Sequence, residues 1–308
     1  MPVNDEALAE LFDRERERLF AIAYRMLGSV GDAEDVVQET FLRYQRTAHA
    51  EAVREPRALL TTIATRLAID QLRSSHHRRE EYVGPWLPEP LVSDEPDAAE
   101  RAEMADSLSM AFLVVLESLS PVERAVFLLR EAFDYDYETI ASIVRRTPEH
   151  CRQIALRARQ HVDARRPRFE ASRRARDELA RRFFAACQDG DLEGLIELLA
   201  ADCVLYGDGG GRAPAARAPI HGRERAARAL IGLARSANRI GARYEPVAVN
   251  GQPGARFLAP DGRLINVVAL DIADGQVQAV RSVVNPDKLD HLGPLADLRA
   301  LLASRTRR

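Results

Sequence analysis

Residues 137–161 read YETIASIVRRTPEHCRQIALRARQH, and this stretch decides how the first half of the chain folds. Ile140, Ala141, Ile143 and Val144 recur at helical spacing and give a short helix one apolar face, before Arg145-Arg146-Thr147-Pro148 breaks the period. Thr147 suits an N-cap, Pro148 a first helical position that needs no N–H, and Glu149 the positive end of a helix dipole. In the second helix Cys151, Ile154, Ala155 and Ala158 fall on the inward face, leaving Glu149, His150, Arg152, Gln153, Arg157 and Gln160 outward. A helix-turn-helix of this kind offers its outward side chains to base edges and phosphates in a major groove. An ordinary helical hairpin with a solvated basic face is the competing reading.

Toward the N-terminus, three more helices are expected. Residues 5–28 carry apolar positions along one face and end at Gly28-Ser29-Val30-Gly31. Asp32 reads as the N-cap of DAEDVVQETFLRY, whose Val36, Val37, Thr40, Phe41 and Tyr44 face inward while Asp32, Asp35, Gln38 and Glu39 form an acidic, amide-bearing outer face. Residues 46–55 lack a period and read as a loop. Pro56 then opens a helix with Leu59, Leu60, Ile63, Ala64, Leu67 and Leu72 inward, and with Thr61, Thr62, Thr65, Arg66, Asp70 and Arg73 outward. It runs into the basic end His76-His77-Arg78-Arg79, suited to phosphate or to solvent.

The segment 82–90, YVGPWLPEP, has three prolines and a glycine, which forbid helix, and it displays the only tryptophan on extended backbone. Such a segment is expected to pack against something, whereas the polar, acidic residues 93–103 read as flexible. Residues 104–130 form two helices split at Ser120-Pro121, with Glu123 near the new N-terminus.

Beyond residue 173 the texture changes. Two helices flank Asp189-Gly190-Asp191, and a further helix is expected near 222–236. Apolar or alternating runs at 204–206, 244–249, 255–258, 264–272 and 277–284 are separated by Asp-Gly and Asn-Gly turns. Together they predict a curled antiparallel sheet in an α+β domain.

At 308 residues and 46% hydrophobic content the chain is long and apolar enough for two or three packed domains. Net charge −3 excludes a uniformly basic nucleic-acid coat, although arginines bunch between Arg145 and Arg182. The sole lysine is Lys288. Three widely spaced cysteines, Cys151, Cys187 and Cys203, suggest neither a disulfide framework nor a zinc site. No apolar run approaches bilayer length and the first residues are charged, so a cytoplasmic protein without membrane contact is expected.

The motifs DAEDVVQETF, the pair Asp70 and Arg73, ERAVFLLRE and RQIALRAR resemble those of sigma factors of the extracytoplasmic-function group, with residues 10–75 similar to region 2 and 107–165 to region 4. The C-terminal part resembles a SnoaL-like, cystatin-like cone. YVGPWLPEP, DGGG at 208–211 and NPDKL at 285–289 are similar to signatures of the subgroup that fuses such a sigma factor to its own SnoaL-like domain.

The resemblance implies a multidomain chain: all-α sigma region 2 over 1–80, a linker over 81–105, the region 4 helix-turn-helix over 106–168, an α+β SnoaL-like domain over 173–295 and a tail over 296–308. Carried over by position, Asp32, Asp35, Gln38 and Glu39 would dock on core RNA polymerase. The loop from Tyr44 to Glu55 would capture a base of the melted minus-ten element, with Arg46, Arg54, Arg66, Asp70, Arg73, Arg78 and Arg79 following that strand. Glu149, His150, Arg152, Gln153 and Arg157 would read minus-thirty-five. Many relatives carry Asn in place of Arg66 and Trp in place of Leu59, so base preference does not transfer.

For the last domain the resemblance implies regulation in place of a separate anti-sigma factor. The domain would pack back on region 2, region 4 or the YVGPWLPEP linker, with Tyr82, Trp86 and Pro88 as anchors and Asp208, Gly209, Gly210, Asn285, Pro286, Asp287 and Lys288 as candidate contacts. Tyr206, Asp208, His221, Asp271, Arg281 and Asp287 are its acid–base side chains, and no spacing among them marks a catalytic site. No enzyme activity, cofactor or metal is expected, and the SnoaL-like cavity is left open to an unknown small ligand. Two other classes compete: a stand-alone DNA-binding regulator with a ligand-sensing domain, and an enzyme with a DNA-binding appendage.

Overall fold

The computed structural model describes residues 5–50, 53–80, 82–93, 108–164 and 172–305. The chain divides into two compact units, 1–80 with 113–166, and 81–112 with 167–308.

The first unit is helical. Helices α1 (Asp5–Leu27), α2 (Val30–Ala50) and α3 (Pro56–Glu80) pack on one another around Leu19, Ile22, Val36, Val37, Leu60 and Ala64. Helix α2 starts two residues before the expected cap and runs five beyond Gln45. Ser29, not Asp32, takes the capping role, its hydroxyl accepting the Asp32 N–H at 3.2 Å, while Asp32 lies in the first turn, where the dipole favours a carboxylate. The predicted loop at 46–55 is therefore helical through Ala50.

After α4 (Met110–Leu116), within which the division between the units falls, come α5 (Pro121–Glu131), α6 (Tyr137–Val144) and α7 (Pro148–Asp163). Ser120 and Glu123 close a reciprocal capping box on α5, and these bonds hold the Glu123 carboxyl below its ordinary range. Thr147 caps α7 by accepting the His150 N–H, with Pro148 in the first turn. Between α6 and α7 the chain turns at Arg145, a left-handed residue at φ 56°.

Helices α5 and α6 pack on α1 and α3 inside this unit. That contact overturns one expectation: Thr61 and Thr65 are fully buried rather than outward, because α3 serves two neighbours on two faces. Thr61 accepts a hydrogen bond from Arg18 at 2.8 Å and meets the Tyr135 hydroxyl at 3.0 Å.

The second unit is a seven-stranded mixed sheet with helices packed on it around a shared core. Helices α8 (Arg173–Asp189), α9 (Leu192–Leu198) and α10 (Arg223–Arg239) join strands β2 (Leu199–Asp208), β3 (Ile220–His221), β4 (Arg243–Val249), β5 (Gln252–Leu258), β6 (Leu264–Ala273) and β7 (Gln276–Val283). The order is β1-β4-β5-β6-β7-β2-β3, where β1 is Val92–Ser93 of the linker. All pairings are antiparallel except β2 with β7, which is parallel. The expected all-antiparallel sheet is corrected accordingly: β2 enters from α9 and returns along β7 rather than as a hairpin. Phe183, Leu195, Leu199, Leu205, Leu270 and Ile272 centre the core. Two 3₁₀ turns, Pro286–Lys288 and Asp290–Leu292, lead to α11 (Leu298–Arg305).

Candidate nucleic-acid interface and linker clamp

In the helix-turn-helix, Ile140, Ala141, Ile143, Val144, Cys151, Ile154, Ala155 and Ala158 are all buried. Glu149, His150, Arg152, Gln153 and Arg157 are exposed on α7. Arg152 is held in place by Glu138 at 3.0 Å and Glu149 at 3.6 Å, above the Tyr137 ring. One residue on this face escaped the sequence reading. Leu156 is 57% exposed between Gln153 and Arg157, an apolar group suited to a thymine methyl. Its aliphatic character disguised it as a core position, and only the helical phase of its neighbours could have exposed it.

On α2, Asp35 and Gln38 are exposed, and Asp32 and Glu39 are half-buried. Glu39 pairs with Arg43 at 2.6 Å. Leu42, 49% exposed, continues this face one turn on, giving an otherwise polar patch an apolar member that the sequence reading also missed.

The residues assigned to the minus-ten strand are dispersed. Arg46 is exposed on α2 and Arg54 on the following loop; Tyr44 is buried, which pushes its phenol up. Asp70 and Arg73 pair at 3.4 Å on the exposed side of α3. The side chains of Arg78 and Arg79 lie outside the described residues.

Arg66 is engaged rather than free. Its guanidinium donates to the carbonyls of Ile143 and Ser142, both at 2.9 Å, so it caps the C-terminal end of α6. Burial, and then the neighbouring Arg145, hold it below its ordinary value. Arg124, buried on α5, makes the converse contact: it donates to the Met26 carbonyl at the end of α1 at 2.6 Å, and to Glu117 at 2.8 Å. Each half of the unit thus sends an arginine to the orphan carbonyls of the other.

In the second unit the linker is held as part of the fold. Asp208, fully buried at the end of β2, accepts bonds from the Tyr82 hydroxyl, from the Leu87 N–H at 2.8 Å and from the Lys288 ammonium at 2.7 Å. Lys288 also donates to the Leu87 carbonyl, and its Nζ lies 4.7 Å from the Tyr82 ring and 4.3 Å from the Trp86 ring. Asn285 donates to the Tyr82 oxygen at 2.9 Å. Burial and the bond to Asp208 drive the Tyr82 phenol well above its ordinary value, so it stays a donor.

Gly210 adopts φ +55°, and a Cβ there would stand 2.4 Å from Asn285 Nδ2 and 2.9 Å from the Tyr82 oxygen. Gly209 is buried in the same turn. Pro88 and Pro90 are buried, and the Pro90 carbonyl meets His291 Nε2 at 2.9 Å. Asn250 completes the clamp by holding both the N–H and the carbonyl of Leu91, next to β1. Pro286 opens the 3₁₀ turn and Asp287, exposed, pairs with Arg212 at 3.2 Å. In the sequence Asn250 reads only as part of an Asn-Gly turn and His291 lies in no motif, so neither is assigned to the linker there.

The second unit carries a cavity of about 260 Å3, open to solvent beside exposed Gln188, Leu233 and Asn238, whose inner walls include Phe183, Leu205, Leu230, Val268 and Val280. None of Tyr206, Asp208, His221, Asp271, Arg281 or Asp287 lines it. Asp271 and Arg281, paired at 2.8 Å, alternate with the lining residues Val268 and Val280 and so point to the other face of the sheet.

Residues 11–79 match the family model for sigma-70 region 2, and residues 109–162 that for sigma-70 region 4. The helical unit is thus that of a sigma-70-type initiation factor. Along most of its length the chain is 35% identical to the ECF RNA polymerase sigma factor SigJ of Mycobacterium tuberculosis, covering 96% of this chain and 97% of that one. It is also 30% identical to the probable ECF sigma factor SigI of that organism, over 90% and 93%. The crystal structure of M. tuberculosis SigJ superimposes with TM-score 0.73 at 32% identity, covering 92% of this chain and 98% of that one. The chain belongs to the extracytoplasmic-function (ECF) RNA polymerase sigma factors. It directs transcription initiation by binding core polymerase and promoter DNA.

Proposed function

We propose that the fused C-terminal domain controls this sigma factor by holding the linker, in place of a separate anti-sigma factor, and that it does so without catalysis. The observation that carries the reading is the buried Asp208–Lys288 pair gripping Tyr82, Trp86 and Leu87. The linker joins the two modules that read promoter DNA, so fixing it fixes how far apart they can act. Among the described residues the domain's cavity is lined by no carboxylate, imidazole, ammonium or guanidinium, which supports a non-enzymatic role.

The DNA roles follow from position. Asp35, Gln38, Glu39 and Leu42 form the face for core polymerase, and Arg152, Gln153, Leu156 and Arg157 the face for minus-thirty-five. Arg46, Arg54, Arg73 and the basic end of α3 follow the minus-ten strand, work that takes place in the cytoplasm with core polymerase.

The first unit must open to work. Promoter elements about 25 base pairs apart lie about 85 Å apart along B-DNA. A compact body of roughly 130 residues is only about 35–40 Å across. Arg66 therefore serves the packed arrangement through α6 and becomes available to the strand when the halves part.

The test is in vitro transcription with purified core, comparing the full chain with Lys288→Met at equal folded fraction. Altered promoter output is expected. Unchanged output would sink the clamp as a control element.

A further inference from the structure

The cone cavity combines three properties. It holds about 260 Å3, and among the described residues no Asp, Glu, His, Lys or Arg contributes to its walls. Its polar groups are neutral amides and hydroxyls, and Asn266 already donates to Ser282 at 3.1 Å. Burial pushes the lining thiol of Cys187 up to about 12, so it too is neutral. Such walls offer an ion no counter-charge, so an uncharged ligand is favoured. An apolar cavity of about 150 Å3 takes benzene, and drug-sized ligands need about 300 Å3 or more. The volume here fits a ligand of about 10–17 non-hydrogen atoms by that interpolation.

The walls are also parts of the clamp. Val284 lines the cavity, its N–H bonds the Asp208 carbonyl at 2.8 Å, and the next residue, Asn285, holds Tyr82. Pro214 lines it from the loop that follows Gly210. Leu298 and Leu302 of α11 close one side, while Arg299 of the same helix donates to the Gly211 carbonyl at 3.1 Å. A group entering the cavity therefore presses on three segments that position Asp208, Gly211 and Asn285.

We propose that the cavity is a sensory site for an uncharged apolar small molecule, such as a bicyclic aromatic or a medium-chain alcohol, and that its occupancy is transmitted through Val284, Pro214 and α11 to the grip on Tyr82 and Trp86. This deepens the regulatory reading above and rests on it.

The sole tryptophan makes the coupling measurable in the full-length chain. N-phenyl-1-naphthylamine, an uncharged fluorophore, is expected to bind saturably at about one per chain. n-Decanol, which is transparent where tryptophan absorbs and emits, should displace it and shift Trp86 emission over the same concentration range. Ala234→Phe and Ala237→Phe, which fill the cavity from α10, should each weaken binding by about tenfold or more. Absent or unsaturable binding by the wild type overturns the site, as does binding indifferent to both fillings; the wild-type stoichiometry decides the matter even if a filled variant misfolds. Binding with unchanged Trp86 emission overturns the coupling. The regulatory reading fails separately, when Lys288→Met leaves transcription unaltered.

Discussion

The ammonium of Lys288 lies 4.3 Å from the centre of the Trp86 ring, so the only lysine in the chain grips the only tryptophan. The ammonium is also paired with buried Asp208 and bonded to the Leu87 carbonyl, so it is both desolvated and fully used.

Lys288→Met leaves Asp208 buried without its counter-charge and should destabilise the second unit by about 3–5 kcal/mol. Asp208→Asn/Lys288→Met should be milder than either single change. Thermal unfolding gives the magnitude, and a red shift of Trp86 emission reports release of the linker; additive single effects would contradict the pairing.

Gly210→Ala should loosen the clamp without touching a charge. Its Cβ would strike Asn285 and Tyr82, and its φ of +55° is strained for alanine, a cost of about 1–3 kcal/mol. Gly232→Ala, in α10 with open space around it, serves as the control and should be neutral or stabilising by up to about 1 kcal/mol. Equal melting temperatures for the two variants would refute the close approach.

Arg66→Ala should speed hydrogen exchange at the end of α6, because two carbonyls lose their donor. Arg66→Lys should recover only part of the protection, since an ammonium lacks the planar fork. Identical exchange in all three proteins would dismiss the cap.

On α7 two substitutions should separate in kind. Arg157→Ala should weaken promoter binding across sequences and lower the salt slope by about one if it meets phosphate. Leu156→Ala should leave the slope unchanged and relax preference at a single base pair. A slope change with Leu156→Ala would remove it from the base-reading face.

Cys203, fully buried, is held un-ionised by burial and then by Asp202 and Asp271, its thiol pushed up to about 12. The unfolded thiol ionises near its ordinary value of about 8.5. Because the folded value is the higher, the contribution to stability is intact below about 8.5 and is lost as pH rises toward 12. Cys203→Ala should flatten the alkaline decline in stability between those limits, and a parallel decline would deny the thiol that role.

How much of this was readable depended on how many neighbours an element has. The helix-turn-helix buries one face of each short helix, and the phase of Ile140 to Ala158 reported that face directly. Helix α3 meets two sets of partners, so Thr61 and Thr65 are buried against a face that polarity had marked as outer. The two-residue strand β1 and the eight-residue α11 are too short for a period to declare itself. The DGGG, NPDKL and YVGPWLPEP segments were legible as motifs, but the bonds joining Tyr82 to Asp208 and Lys288 to Trp86 span long separations that no local pattern encodes.

The clamp also imposes an order of events on the newborn chain. Leu87 and Lys288 are 201 residues apart, so at about 5–20 residues per second the ribosome delivers the lysine roughly 10–40 s after the linker has emerged. Both promoter-reading modules have been synthesised by the end of that interval, before Lys288 exists to meet Leu87. On the proposed reading, control of the two modules therefore cannot begin before Lys288 has been made.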